Sequence, residues 1–176
     1  MHNRGVIRPT VAVRPTLVVI AFLAAAGAAV LSGLAPGQSP SFVNWESPHV
    51  HPLDMTPDGT RLLAVNTPNN RLLVYDLTSP LPALVAAIPV GLDPVSVRAR
   101  SNGEAWVVNH ISDSVSIVDL AQLSVVATLA TDDEPADVVF AGDPQRAFVS
   151  CAQASQILVF DPANLAASPT IVPIDA

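Results

Sequence analysis

The chain has 176 residues, half of them hydrophobic, with 8 Arg, no Lys and 15 Asp plus Glu. That length and apolar content supply one domain with a buried core. All 15 acids follow Trp45, where only 5 Arg remain, and the resulting formal charge of −10 argues against nucleic acid, which is held mainly by Lys and Arg on phosphate.

The N-terminus opens with a basic stretch, MHNRGVIRPTVAVR, ahead of an unbroken apolar run at 17–31, LVVIAFLAAAGAAVL, and small residues follow in SGLAPGQS. Basic, then apolar, then small is the order of an export signal. Fifteen apolar residues fall short of the about 20 that span a membrane, which favours a cleaved signal over a retained anchor within 1–35. Gly33-Leu34-Ala35 offers small residues for cleavage, but Pro36 opposes a cut there, leaving an earlier cut in the Ala-rich run as the alternative. Residues 36–48 read as a linker.

From His51 onward the chain repeats. HPLDMTPDGTRLLAVNTPNNRLLVYDL aligns with DPVSVRARSNGEAWVVNHISDSVSIVDL from Asp93 and with EPADVVFAGDPQRAFVSCAQASQILVFDP from Glu134. Pro52, Pro94 and Pro135 lie 42 and 41 residues apart, and Asp76, Asp119 and Asp161 lie 43 and 42 apart. Asn66, Asn109 and Cys151 each stand ten residues before that Asp. Three landmarks in one register set the repeats at about 49–92, 93–133 and 134–176.

Each copy has the same internal order. A short strand follows the Pro, at 53–56, 95–99 and 136–140. Pro57-Asp58-Gly59-Thr60 and Ser101-Asn102-Gly103-Glu104 then give hairpin turns, because Gly and Asn accept positive φ; Gly142-Asp143-Pro144-Gln145 is a turn of another type. A second strand reads LLAVN, AWVVN or AFVSC. A third alternates, with Leu72, Val115 and Ile157 aligned and Val74, Ile117 and Val159 aligned, so one face stays apolar. A fourth run closes the unit at 84–90, 125–130 and 170–174. Four strands per roughly 42-residue period predict an all-β chain of β-propeller blades, with a β-sandwich as the alternative.

VSVRARSNGEAWVVNHISDSVSIVDL followed by VVATLA resembles the YVTN-type β-propeller repeat, whose pattern runs through a P-x-x-V strand, a D-G turn, Y-V-T-N and V-x-V-I-D. The resemblance covers about Val50 to Ala176, with Leu63 and Trp106 where the family has Tyr, and Cys151 where it has Asn. It implies a seven-bladed propeller of bacterial or archaeal surface and periplasmic proteins. Propellers close with about four to eight blades. Three copies therefore predict an incomplete ring: the N-terminal part of a longer propeller protein, or an arc that associates to complete one.

Candidate chemistry is judged against the repeat. Asp76, Asp119 and Asp161 recur because a strand-end Asp accepts turn N–H bonds, and Asn66 and Asn109 are expected to shape the following loop. His110 stands where the other copies have Thr67 and Ala152, and is expected to be a solvent-exposed loop residue rather than a ligand. Cys151, the only cysteine, excludes an intrachain disulfide and is expected to be a small buried hydrophobe. His51, Asp93 and Glu134 precede the inner-strand Pro, and Asp54, Ser96 and Asp137 stand two residues beyond it. Innermost strands line a propeller's channel, so these six form a candidate channel-mouth ring, against the plainer reading of a solvated polar rim. No phosphate loop, Ser nucleophile elbow, zinc spacing or C-x-x-C-H occurs, and neither a cofactor nor a metal is expected of these residues.

The expected function is an exported, non-enzymatic binding or scaffold module in the periplasm, at the cell surface or secreted. Its partner would be an unidentified protein or small-molecule ligand, together with the blades that close the ring. The alternatives are a propeller lactonase-type hydrolase, or the propeller domain of a redox protein with a c-type haem domain beyond residue 176.

Overall fold

The computed structural model describes residues 48–174; the predicted export signal and most of the linker lie outside them. Twelve strands form three antiparallel four-stranded sheets, each made of four consecutive strands, so each sheet is one repeat. Blade 1 holds β1 (Leu53–Met55), β2 (Arg61–Asn66), β3 (Arg71–Asp76) and β4 (Ala83–Pro89). Blade 2 holds β5 (Pro94–Ser101), β6 (Glu104–Asn109), β7 (Ser114–Asp119) and β8 (Ser124–Ala130). Blade 3 holds β9 (Pro135–Ala141), β10 (Arg146–Cys151), β11 (Gln156–Phe160) and β12 (Thr170–Pro173). The described residues form an all-β arc of three propeller blades, an incomplete ring, and the first strand of each blade is its innermost.

The three hairpins between first and second strands use different chemistry. Gly59 turns at φ +70°, and the Asp58 carboxylate accepts the Thr60 N–H at 3.0 Å and the Thr56 hydroxyl at 2.6 Å. In blade 2 neither Asn102 nor Gly103 enters the left-handed region; Asn102 Oδ1 instead accepts the Asp58 N–H at 3.0 Å and ties the two turns together. The blade 3 turn carries Gly142 at φ +88° and a cis Asp143–Pro144 bond.

Alternation on the second and third strands decides what each face meets. Val97, Ala105, Val107, Val118 and Leu120 of blade 2 pack on Leu63, Leu72, Val74 and Ile88 of blade 1. The opposite face of blade 2, Val95, Trp106, Val108, Val115, Ile117 and Leu129, packs on Val138, Ala147, Val149, Cys151, Leu158 and Phe160 of blade 3. Blade 2 is therefore buried on both faces. Burial also pushes the Cys151 thiol above its ordinary pKa.

Equivalent positions lose burial where no neighbour follows. Leu63 and Trp106 are both 0% exposed, and Leu72 and Val115 likewise, whereas their blade 3 counterparts Phe148 and Ile157 are only half-buried. Val139 and Val172 on that blade are exposed, and Val139, Phe148 and Ile157 line a hollow of about 200 Å³. Blade 1 shows the mirror case. Val118 and Phe160 are buried, but their equivalent Tyr75 is half-buried, and Leu53, Met55 and Leu84, paired in register on the same face, are exposed. Both ends of the arc are thus apolar sheet faces, the kind of surface that adjoining repeats cover.

Repeated polar bonds hold the loops. Asp76 Oδ1 accepts the Thr78 N–H at 2.6 Å, Asp119 Oδ1 the Ala121 and Gln122 N–Hs at 2.7 and 2.8 Å, and Asp161 Oδ1 the Ala163 N–H at 3.0 Å. Asn66 Oδ1 accepts from Asn69 Nδ2 at 3.2 Å, and buried Asn109 donates through Nδ2 to the hydroxyls of Ser114 and Ser116. Gly91 crosses this cluster so closely that a Cβ there would stand 2.6 Å from Asn109 Nδ2.

His110 departs from the exposed loop residue read from the sequence. It is half-buried, and its Nδ1 lies 3.1 Å from the carbonyl of Pro135 in the next blade. Thr67, at the same repeat position, donates its hydroxyl to the Pro94 carbonyl at 2.7 Å. Both side chains satisfy the carbonyl of the Pro that starts the following inner strand, so this position couples blades.

Candidate functional site

The inner strands meet side by side. A parallel bridge joins His51 to Ser96; Val50 and His51 donate N–H to the Val95 carbonyl, and Val97 donates to the His51 carbonyl at 2.9 Å. Polar side chains cross the same seams. Asp54 Oδ2 accepts the Ala99 N–H at 2.8 Å. Asp137 accepts the Ser96 hydroxyl and binds Arg98 through Nη2 at 2.9 Å, with Nε at 3.4 Å. β5 carries the polar residues Ser96, Arg98 and Arg100 between Val95, Val97 and Ala99, with register shifts against β6 at Pro94/Ser96 and at Ala99/Ser101. Both Ser96 and Arg98 reach Asp137 of blade 3.

A cleft of about 320 Å³ opens beside these strands, lined by Asp54 of blade 1, Arg98, Ala99 and Arg100 of blade 2, and Val139, Phe140 and Gln145 of blade 3. All three blades contribute, so the cleft exists only because the blades stack. Arg100 is anchored by Glu104, with Nε at 2.5 Å and Nη2 at 2.8 Å from its two oxygens, and Glu104 Oε1 also accepts the Trp106 indole N–H at 2.7 Å. That shared carboxylate links the cleft to Trp106, the largest fully buried side chain among the described residues.

Partial burial works to raise the pKa of Asp137, but the bonds from Arg98 and Ser96 outweigh it and leave the carboxyl below its ordinary value. Glu104 follows the same balance, its burial opposed by Arg100 and Trp106. A carboxylate depressed on folding stabilises the fold above its unfolded pKa of about 4 and loses that contribution as pH falls through the folded value. Stability is therefore expected to decline on acidification below about pH 4. In Asp137→Asn the neutral-pH stability should drop and the acid decline should become shallower, as read by urea unfolding at a series of pH values. An acid decline as steep as in the unaltered chain would remove Asp137 from this role.

The residues singled out as a channel-mouth ring are divided by the structure. Ser96 and Asp137 are joined directly, His51 meets Ser96 through the backbone bridge, and Asp54 reaches the same β5 strand. Asp93 and Glu134 serve the backbone instead. Both adopt positive φ, +57° and +54°, and their N–Hs are accepted by the side chains of Asn70 and Asp113 at 2.8 and 3.1 Å. The Asp93 side chain is buried and its Oδ2 has no partner among the described residues, whereas Glu134 is exposed. A solvated rim thus describes Glu134 but not Asp93. Among the described residues, no three His, Cys, Asp or Glu side chains gather to hold a metal ion.

Arg98, Arg100 and Gln145, three of the polar residues of the cleft, were not identified from the sequence. The signal for the two arginines was the R-A-R alternation inside an otherwise apolar inner strand, at positions the other copies fill with Thr56 and Asp58 or with Val139 and Ala141; Gln145, in the blade 3 turn, had none.

No family model and no curated protein matches the sequence. Solved β-propeller structures do superpose on it. Kuenenia stuttgartiensis hydrazine synthase does so with a TM-score of 0.61 and 22% identity, over 73% of this chain and 36% of that one. A putative 6-phosphogluconolactonase from Bacteroides uniformis gives 0.56 and 20%, over 72% and 40%. Apo AztD from Citrobacter koseri gives 0.56 and 15%, over 70% and 34%. At these identities the likeness establishes the propeller fold. The chain spans well under half the length of each of these propellers.

Proposed function

We propose that the chain is a binding module of an exported β-propeller protein of the YVTN type, holding a small ligand in the inner-strand cleft. The cleft is the observation that carries this reading: three blades converge on one concave polar site whose side chains are held by bonds to the scaffold. A lactonase-type hydrolase is the second reading, favoured equally by the likeness to a putative 6-phosphogluconolactonase; among the described residues the cleft lining holds the Asp54 carboxylate, which accepts the Met55 and Ala99 N–Hs. The order of basic, apolar and small residues at the N-terminus supports export, and no helix among the described residues is long and apolar enough to cross a membrane. The two open sheet faces would take further propeller blades, in the same polypeptide or in another copy.

A screen for thermal stabilisation of the full chain by small polar compounds tests the binding reading. Stabilisation is expected, and Gln145→Trp, which fills the cleft from an exposed turn, should abolish it; stabilisation that survives Gln145→Trp places binding elsewhere. Residues 1–47 fused to a reporter enzyme active only outside the cytoplasm test export, with an inactive fusion contradicting it.

A further inference from the structure

We propose that the inner-strand cleft recognises its ligand through an oxyanion, a carboxylate or a phosphate ester, received by the guanidiniums of Arg98 and Arg100; this rests on the reading of the chain as a binding module. The two arginines stand two apart on β5, and both line the cleft. Each is fixed by a carboxylate that does not itself line it. Asp137 takes Nε and Nη2 of Arg98, and Glu104 takes Nε and Nη2 of Arg100.

These two-point contacts set the plane of each guanidinium and leave its Nη1 edge available. Among the described residues Arg98 Nη1 has no hydrogen bond, and Arg100 Nη1 has only a 3.4 Å contact with Gln145 Oε1. A guanidinium offers five N–H donors in a flat fork that matches carboxylate and phosphate oxygens. Because the scaffold already orders both forks, an incoming oxyanion does not have to immobilise them, and less of its binding energy is lost to side-chain ordering.

The rest of the lining suits such a ligand. Asp54 is the carboxylate that would repel it, yet its two oxygens accept the Met55 and Ala99 N–Hs, each at 2.8 Å, which disperses its charge. Val139 and Phe140 line the cleft from the blade 3 side, so the oxyanion should be attached to a compact apolar body. The volume of about 320 Å³ stands at the small end of the range for small-molecule sites and fits a body about the size of one ring.

Calorimetric titration of the full chain with benzoate, phenyl phosphate and uncharged benzamide tests the proposal. At least one anion is expected to bind, with benzamide at least about tenfold weaker, and the preferred anion identifies the oxyanion class. Arg98→Gln and Arg100→Gln should each weaken the anion about tenfold or more, since each removes charge-assisted hydrogen bonds. Arg100→Lys keeps the charge that Glu104 needs and loses the fork, so it should fold and still bind several-fold more weakly. Asp54→Asn should bind the anion more tightly, a gain that a damaged fold would not produce. If benzamide binds as tightly as the anions, the oxyanion proposal fails while the cleft remains a binding site. Anion affinity unchanged in all the arginine variants also overturns it. If none of the three probes binds, the oxyanion proposal falls and the cleft loses its support as a ligand site.

Discussion

Trp106→Ala is expected to destabilise the chain by about 3–5 kcal/mol, as truncation of a large buried aromatic does. Trp106 is 0% exposed, and it joins the blade 2 and blade 3 sheets. Its ring meets Phe140 edge-on at 5.3 Å and Phe160 at 6.4 Å. Its indole N–H bonds Glu104, which in turn orients Arg100 at the cleft. Removing the indole opens a cavity between the blades and releases one contact that fixes the Glu104 carboxylate. Trp106→Phe separates the two effects: most of the packing stays, the indole bond goes, and the loss should fall to about 1–2 kcal/mol. Urea unfolding measures both. A cost below about 1 kcal/mol for Trp106→Ala would mean that blades 2 and 3 are not packed through this side chain.

The second large effect comes from placing the same charge at two equivalent repeat positions. Ile117, 1% exposed, faces blade 3, and Val159 occupies the same position on blade 3, where no described blade covers it. Ile117→Asp buries an unpaired carboxylate in the inter-blade core and is expected to unfold the chain at neutral pH, since such burial costs several kcal/mol. Val159→Asp keeps its charge in reach of water and should cost about 1 kcal/mol or less. Circular dichroism and urea titration of the two variants read the contrast. Equal severity would show that the outer face of blade 3 is covered, contradicting an open arc.

The fold was legible in the sequence because every blade has to solve the same problems. The strand-end Asp119 must satisfy the N–Hs of its turn, Pro94 must start an inner strand, and Val115 and Ile117 must present one apolar face. Residues bound by shared constraints recur at fixed spacing, and spacing survives sequence drift. The cleft was legible only in part for the opposite reason. It joins Asp54, Arg98, Arg100 and Gln145 from three blades at non-equivalent repeat positions, so no single spacing connects them. Aligned Asp93 and Glu134 pointed the other way. They recur because a left-handed residue precedes the inner strands of blades 2 and 3 and hands its N–H to Asn70 or Asp113, a backbone requirement that resembles a ring of acids. His110 and Thr67 show a third limit. They perform one task, bonding the next blade's Pro carbonyl, with different side chains, so comparison of residue identity could not reveal it.

The central structural claim is that three blades stack face to face, with blade 2 enclosed and the cleft formed across their inner strands. Amide hydrogen exchange of the full chain tests it most directly, because exchange is slowest where opening requires global unfolding. The stacked arc predicts the slowest exchange in β6 and β7, buried against both neighbours, and faster exchange in β4 and β12 at the outer edges of the end blades. Protection in blade 1 or blade 3 that equals or exceeds that of β6 and β7 would contradict it.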